Sequence, residues 1–180
     1  MPAGTTQPID LKGRVPQPYI AIEGPIGVGK TTLARQLADL FDYQLLLEDA
    51  HENPFLSKFY ENRRQNALAT QLFFLFQRVQ KIDDLKQQDL FRPLRVADFL
   101  IDKDPLFAQV NLDADEYELY SKVYSQMTVD APTPDLVIYL QASVDRLLER
   151  IDRRGIASER TISRQYLEGL NEVYSEFFLY

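Results

Sequence analysis

The sequence predicts an α/β fold in which a parallel β-sheet carries helices on both faces. Short apolar runs of strand length alternate with longer segments whose apolar residues recur every three or four positions. A phosphate-binding motif follows the first apolar run, at the point where strand gives way to helix. The length of 180 residues fits one domain, and right-handed crossovers leave few topologies for it.

Four strands are predicted from the apolar runs, and the residues before them form a separate segment. Residues 1–18 contain four prolines and two glycines, which predicts a flexible tail ahead of a domain spanning residues 19–180. The predicted strands are Tyr19–Glu23, Tyr43–Glu48, Arg95–Phe99 and Pro134–Leu140.

Between the predicted strands, apolar residues recur at the spacing of an α-helix. Leu33, Leu37 and Leu40 mark the first helix, and Pro54 suits the first turn of a short helix that ends near Asn62. The later predicted helices are Gln65–Leu85, Asp113–Met127, a helix capped by Ser143 that ends at Arg153, and Ile162–Tyr180.

Composition excludes several classes of protein. A net charge of −7 disfavours binding to a nucleic-acid polymer, although a small anionic ligand needs only a few local cations. The absence of cysteine excludes a disulfide framework and thiolate metal sites. No apolar run reaches the roughly 20 residues of a membrane span, and the N-terminus lacks the apolar centre of a secretory signal. We therefore expect a cytoplasmic protein without a membrane partner.

The strongest functional signal is the sequence GPIGVGKT at residues 24–31, which fits the P-loop pattern G-x-x-x-x-G-K-[ST]. Its glycines let backbone amides turn inward to cradle phosphate at the start of a helix. Lys30 is expected to reach the β- and γ-phosphates of ATP, and the Thr31 hydroxyl to bind Mg²⁺. The predicted ATP-binding residues of this segment are Gly24, Pro25, Ile26, Gly27, Val28, Gly29, Lys30, Thr31 and Thr32. The motif predicts nucleotide binding but does not identify the phosphate acceptor.

An arginine-rich turn near the C-terminus, with Arg150, Arg153, Arg154 and Arg160, is typical of the lid of small nucleoside and nucleotide kinases. With these features the sequence resembles the deoxynucleoside kinase family, most closely its bacterial deoxyadenosine/deoxyguanosine kinase branch. The resemblance runs from about Tyr19 to the C-terminus. The segments that show the resemblance are GPIGVGKTTLA (24–34), LLEDAHENPFLSKFY (46–60), ATQLFFLFQR (69–78), DFLIDKD (98–104) and RIDRRGIASE (150–159).

Glu48 ends the second predicted strand, where a carboxylate can accept the proton of an attacking hydroxyl. The resemblance implies that Glu48 is the general base. The alternatives from the residues alone are a solvated carboxylate at a strand end, or catalysis by Glu52 four residues on.

Tyr60, Gln71 and Arg78 are the candidate nucleoside-binding residues. Gln71, Phe74 and Arg78 fall at i, i+3 and i+7 and share one helix face. The resemblance implies that Tyr60 contacts the sugar 3′-hydroxyl, that Gln71 pairs with the base edge and that Arg78 helps hold the base. An ordinary half-exposed polar helix is the alternative.

Asp98 lies near the end of the third predicted strand, and Asp104 follows that strand. Many family members have an arginine directly after the acidic residue, and this chain has Phe99 instead. Asp98 can order Mg²⁺ through water or can simply cap a strand end. Arg78 or a lid arginine is expected to supply the lost charge, and Asp104 is a possible partner of Arg78.

The lid residues complete the predicted site. The resemblance implies that Arg150 and Arg154 clamp the transferring phosphate and ATP, and that Glu159 binds the sugar. A solvated charge run is the alternative. A further lid arginine of the family is Ile156 here, so stabilisation of the transition state is expected to be shared differently.

The sequence as a whole predicts transfer of the ATP γ-phosphate to the 5′-hydroxyl of a deoxyribonucleoside, with deoxyadenosine or deoxyguanosine favoured. The resemblance also implies a homodimer formed through the long helix and the helix with Tyr117–Met127. The alternatives are a thymidylate-kinase-like nucleotide kinase and a non-catalytic ATP-binding module. Relatives carry a further strand after the last helix, so we expect either a truncated chain or four parallel strands with an exposed edge at the fourth.

Overall fold

The computed structural model describes residues 19–88, 94–128 and 131–180. In chain order the strands are β1 (Tyr19–Glu23), β2 (Gln44–Leu46), β3 (Arg95–Ala97) and β4 (Leu136–Tyr139). The helices are α1 (Lys30–Phe41), α2 (Leu56–Glu61), α3 (Arg63–Gln88), α4 (Asp104–Asn111), α5 (Ala114–Met127), α6 (Val144–Arg154) and α7 (Arg164–Leu179). Three short 3₁₀ turns occupy Ala50–Glu52, Ile101–Lys103 and Ala157–Thr161.

The strands form one parallel sheet in the order β2-β3-β1-β4. Ala21 on β1 lies opposite Ala97 on β3 and Val137 on β4, so β1 is paired on both sides and is fully buried. The predicted parallel sheet is confirmed for the described residues, which contain four strands. Strand β4 lies at an edge, where Leu136 and Val137 are partly exposed.

The sheet carries helices on both faces, as the sequence predicts. Because side chains alternate along a strand, Ile20 and Ile22 pack with Ala34 of α1 on one face. Tyr19 and Ala97 point to the other face, where they pack with Ile82 of α3. In the described ranges, no helix has both the length and the apolar character that crossing a membrane requires.

Most predicted helices are present, with two differences. The helix placed at Pro54 begins at Leu56 instead, because Asn53 accepts from the Phe55 and Leu56 amides and so holds residues 53–56 in a turn. Helix α4 was not predicted; Pro105 starts it in a segment too short to show a clear period. Ser143 caps α6 as predicted. The predicted tail at residues 1–18 lies outside the described residues.

The strand ends gather the predicted polar residues at one edge of the sheet. Both β2 and β3 end earlier than predicted, at Leu46 and Ala97, and the chain then turns toward the P-loop. The amide of Asp98 donates to the carbonyl oxygen of Leu46 over 3.0 Å, and the amide of Glu48 donates to Oδ1 of Asp98 over 2.7 Å. These two bonds place both carboxylates beside the start of α1.

Candidate active site

The P-loop connects β1 to α1, and its backbone conformation and its close packing require glycine at particular positions. Gly29, at the N-terminus of α1, has a φ of 107°, which a residue with a side chain rarely adopts. At Gly24 a Cβ atom would lie 2.4 Å from the carbonyl oxygen of Leu140, the residue that follows β4. The loop therefore packs directly against the end of the neighbouring strand.

Lys30 and Thr31 begin α1 and face the polar ends of β2 and β3. The Lys30 Nζ donates to the carbonyl oxygens of Gly24 and Pro25, at 2.8 and 3.3 Å. Burial, and after it the positive charge of Lys103, lowers the pKa of Lys30 to about 8. The Thr31 hydroxyl donates to Oδ2 of Asp98 over 2.5 Å. Two sequence-predicted metal-site residues, 67 positions apart, are thus in direct contact.

The Thr31–Asp98 pair fits a magnesium site of the kind found in phosphoryl-transfer proteins. A hydroxyl and a carboxylate are hard oxygen ligands, and Mg²⁺ typically takes one or two of these and completes its shell with phosphate and water. Among the described residues no group of three or more acidic, histidine or cysteine side chains forms a metal cage. The donor set therefore suits a metal ion that arrives with a nucleotide.

Two cavities meet beside the P-loop. The larger one, of about 980 Å³, extends along the P-loop, α1 and the lid. The smaller one, of about 160 Å³, extends toward α3 and α4. Both are lined by Gly27, Lys30, Thr31, Glu48, Ala50, Leu56, Arg154 and Glu159. Of the sequence-predicted site residues, Gly24, Pro25 and Asp104 line neither cavity.

Glu48 lies at the junction of the two cavities, and Arg78 of α3 donates to its Oε1. Burial raises the pKa of Glu48, but the cations Arg78, Lys103 and Lys30 outweigh burial and hold this pKa below its ordinary value. Glu48 is therefore ionised at neutral pH. Glu52, the alternative base, instead accepts a hydrogen bond from Gln77 over 2.7 Å and does not line either cavity.

The smaller cavity brings together the predicted nucleoside-binding residues. Tyr60, Gln71, Phe74 and Arg78 all line it, although α2 supplies the tyrosine and α3 the others. Arg78 also donates to Oδ1 of Asp104, which is fully buried behind the cavity wall. Burial raises the pKa of Tyr60 far above its ordinary value, so its hydroxyl stays protonated and can donate a hydrogen bond.

The lid is formed by the end of α6 and the turn that follows it. Arg150 donates to the carbonyl oxygen of Val28 over 2.7 Å, which brings α6 onto the P-loop. Arg154 donates through Nε and Nη2 to Oε2 of Glu159, at 3.0 and 2.5 Å. Ile156, where the family has an arginine, lines the larger cavity with an apolar side chain.

Several residues in or directly beside the smaller cavity were not selected by the sequence analysis. Glu23 at the end of β1 is fully buried and pairs with Lys103, which itself lines the smaller cavity. Phe107 and Tyr166 line the same cavity from α4 and α7. A glutamate ending a buried strand directly before the P-loop, and a lysine between the apolar residues of FLI and PLF (99–107), were available signals for the first two. No local pattern marks the aromatic residues, because tertiary packing brings them to the cavity.

Comparison with known proteins identifies the family of this chain. The sequence profile described as "Deoxynucleoside kinase" matches residues 20–180. The chain belongs to the deoxynucleoside kinase family. Its match to the family profile includes the P-loop, the smaller cavity and the lid in a single stretch.

Individual relatives of this family are similar over most of their length. A deoxyguanosine kinase of Bacillus subtilis is 40% identical over 158 residues, covering 87% of this chain and 76% of that protein. A deoxyadenosine kinase of Dictyostelium discoideum is 33% identical over 181 residues, covering 97% and 70%.

A solved structure shows that the fold is shared as well. The deoxyadenosine kinase from M. mycoides with bound dATP has a TM-score of 0.79 and 28% identity, covering 89% of this chain and 83% of that one. The same M. mycoides kinase has also been solved with dCMP and dCDP as products.

Proposed function

We propose that this deoxynucleoside kinase transfers the γ-phosphate of ATP to the 5′-hydroxyl of a purine deoxyribonucleoside, in nucleotide salvage. The observation that carries the proposal is the junction of the two cavities at Lys30 and Glu48. One cavity has the P-loop for a triphosphate, and the other has polar side chains suited to a nucleoside. The relatives named for deoxyguanosine and deoxyadenosine support the purine preference.

The acceptor hydroxyl is activated by Glu48. Its ionised carboxylate takes the proton of the 5′-hydroxyl as the oxygen forms a bond to the γ-phosphorus, and the bond from that phosphorus to the β,γ-bridging oxygen breaks. ADP and the nucleoside 5′-monophosphate are the products. Arg78 orients the carboxylate before the reaction, since it donates to Oε1.

The base and sugar are held along α3 and α2. The amide of Gln71 offers both a donor and an acceptor to a base edge, and the nearby ring of Phe74 offers an apolar surface. The Tyr60 hydroxyl donates a hydrogen bond to the sugar. Glu159, at the cavity junction, accepts a hydrogen bond from a sugar hydroxyl. Asp104 acts through Arg78, since Asp104 does not reach the cavity itself.

The donor phosphates are held by the P-loop and the lid. Lys30, the loop amides and the guanidinium groups of Arg150 and Arg154 bring positive charge to the side of the larger cavity where the γ-phosphate is expected. Thr31 and Asp98 would hold Mg²⁺, which when bound reduces the negative charge on the transferred phosphate.

A nucleotide kinase is the alternative within the same fold. The phosphate of a nucleoside monophosphate is already anionic and needs no general base. The hydroxyl of a nucleoside does need one, and the ionised Glu48 can serve as that base. The geometry therefore favours a nucleoside as acceptor.

Turnover with a panel of deoxynucleosides tests the proposal. Purified protein is supplied with ATP, Mg²⁺ and one of the four common deoxynucleosides, and the 5′-monophosphate is identified by chromatography and mass. We expect the highest kcat/KM with deoxyguanosine or deoxyadenosine. A highest value with thymidine or deoxycytidine would overturn the purine preference, and absence of all four products would overturn the proposed activity.

We also propose that the chain forms a homodimer through α3 and α5, which pack against each other. Phe76 of α3 is 53% exposed and Leu119 of α5 is 51% exposed, so each of these two helices offers an apolar side chain to a partner. Sedimentation equilibrium of the wild-type protein and the Phe76→Asp/Leu119→Asp variant tests this. A monomeric wild-type protein at micromolar concentration would contradict it.

A further inference from the structure

Lys103 is a lysine in an environment that lysine rarely occupies. It ends the 3₁₀ turn Ile101–Lys103 and is 1% exposed. Its Nζ lies 2.8 Å from Oε1 of Glu23, which is also fully buried. Its side chain also lies over the ring of Phe107, with Nζ 5.4 Å from the ring centre.

Glu23 does not depend on Lys103 for its hydrogen bonds. Its Oε2 accepts from the Gly24 amide over 3.1 Å and from the Tyr174 hydroxyl over 2.9 Å. Its Oε1 accepts from the Leu100 amide over 3.1 Å in addition to Lys103. Neutral donors from the P-loop, the segment after β3 and α7 thus already fix this carboxylate.

Stability alone is a poor explanation for the Glu23–Lys103 pair. A buried ion pair loses so much hydration that well-packed apolar residues of similar size are often equally or more stable. The three neutral donors already fix the position of the Glu23 carboxylate, so an ammonium is not needed to orient it. The position of Lys103 points to a different role.

Lys103 lines the smaller cavity together with Lys30, Glu48 and Asp98. These three residues mark the acceptor end of that cavity, whereas Gln71 and Phe74 mark the end assigned to the base. An ammonium has three N–H donors. Among the described residues its polar partner is the Glu23 carboxylate, in an ion pair at 2.8 Å, so donors are left for a ligand.

Lys103, in the connection from β3 to α4, can also replace the arginine that many family members have directly after the acidic residue. The position directly after Asp98 holds Phe99, which is fully buried and packs with Leu46 and Ile82 in the core. It therefore brings nothing to the cavity. Lys103, five residues after Asp98, is the residue of this connection that brings a positive charge there.

We propose that Lys103 is a further substrate-contacting residue, which donates a hydrogen bond to the phosphoryl group at the acceptor end of the nucleoside cavity. Glu23 holds the ammonium in place and balances its charge before the phosphoryl group arrives. Because the bond forms to the phosphoryl group and not to the nucleoside, it strengthens during transfer and persists in the 5′-monophosphate product. This inference rests on the proposed function.

The test compares binding of a nucleoside with binding of its monophosphate. Isothermal titration measures the affinity of the wild-type protein and of Lys103→Met for deoxyguanosine and for deoxyguanosine 5′-monophosphate. We expect Lys103→Met to weaken monophosphate binding by about 10-fold and to change nucleoside binding by less than about 3-fold. We also expect kcat to fall on the order of 10²-fold, the usual effect of removing one donor to a developing charge.

Two further variants separate this role from a structural one. Lys122→Met removes the lysine of an exposed Lys–Glu pair, Lys122–Glu118 at 2.6 Å, and should leave both affinities and kcat unchanged. Glu23→Gln/Lys103→Met removes both buried charges and should recover the thermal stability lost in Lys103→Met, with kcat still low. Glu23→Gln alone keeps the ammonium and should retain a higher kcat than the double variant.

Several outcomes would overturn the inference. The pair would be structural only if Lys103→Met weakened the binding of nucleoside and monophosphate equally. The same would follow if the double variant had a restored kcat, or if Glu23→Gln were as inactive as the double variant. Unchanged binding and turnover in Lys103→Met would also overturn it. A wild-type protein that phosphorylates no deoxynucleoside would instead contradict the proposed function.

Discussion

Arg78 on α3 donates a hydrogen bond to the carboxylate of Glu48, which lies 30 residues earlier in the chain and just beyond the end of β2. Since Arg78 also binds Asp104, one guanidinium connects the proposed base to the wall of the nucleoside cavity. Both Glu48 and Arg78 are therefore held in fixed positions by partners from separate parts of the chain.

Replacing Glu48 with glutamine should remove the general base and keep the shape of the side chain. We expect Glu48→Gln to lower kcat by about 10²–10⁴-fold, with little change in KM for ATP. Steady-state kinetics with varied nucleoside and varied ATP measure both. The matched control is Glu52→Gln, since Glu52 is a carboxylate four residues on that lies outside both cavities. A large loss of kcat in the control, with Glu48→Gln active, would assign the base to Glu52.

Replacing Lys30 with alanine should abolish transfer. Lys30 is the cation that the P-loop itself brings to the β- and γ-phosphates, and the lid arginines Arg150 and Arg154 line the same cavity from α6. We expect no turnover above background. Addition of ATP should also raise the melting temperature less than in the wild-type protein, because a ligand stabilises the fold according to its affinity. Lys122→Ala, at an exposed position, serves as control. Normal turnover in Lys30→Ala would exclude the P-loop from the mechanism.

Two buried glutamines on α3 allow a controlled test of base recognition. Gln71 lines the smaller cavity, whereas the amide of Gln77 donates to Glu52 and to the Asp49 carbonyl oxygen outside it. Gln71→Ala should leave groups on the base unpaired at a cost of about 1–3 kcal/mol. This loss should appear in kcat/KM for the nucleoside and hardly in KM for ATP. Gln77→Ala should affect stability more than kcat/KM, and an equal loss of kcat/KM in both variants would contradict the assignment of Gln71.

The lid prediction concerns Arg154, which pairs with Glu159 where the cavities meet. Arg154→Ala should lower kcat on the order of 10²-fold, because a cation near the transferring phosphate is lost. Arg146→Ala is the control, since Arg146 pairs with Glu149 on the exposed face of the same helix. Kinetics at saturating ATP and nucleoside measure the effect. Equal, small changes in both variants would indicate that Arg154 belongs to a solvated charge run.

The sheet and the P-loop were predictable because each depends on short stretches of sequence. A buried strand between Pro18 and Gly24 has an uninterrupted apolar run, and the P-loop has fixed glycine and lysine positions. The ends of β2 and β3 were less predictable. The last bond of the β2–β3 ladder runs from the Asp98 amide to Leu46, and beyond it the Asp98 side chain bonds the Glu48 amide and Thr31, which nothing local to either segment shows.

The buried Glu23–Lys103 pair was the least predictable part of the site. Lys103 and Glu23 are 80 residues apart and are charged, so a pattern-based analysis assigns such residues to the surface. Only the parallel pairing of β1 with β3 brings the end of β1 next to the segment that carries Lys103. Helix α4 was missed for a related reason, since its burial depends on packing against α3, α5 and α7.

The central claim is that the phosphate acceptor is a deoxynucleoside, and an acceptor comparison tests it most directly. Purified protein with ATP and Mg²⁺ is supplied with deoxynucleosides in one series and with deoxynucleoside 5′-monophosphates in another, and formation of ADP and of the phosphorylated product is measured. We predict turnover with the deoxynucleosides, which is lost in Lys30→Ala, and none with the monophosphates. Turnover with the monophosphates alone would contradict the account, because the acceptor would then be a dianion that Glu48 has no reason to activate.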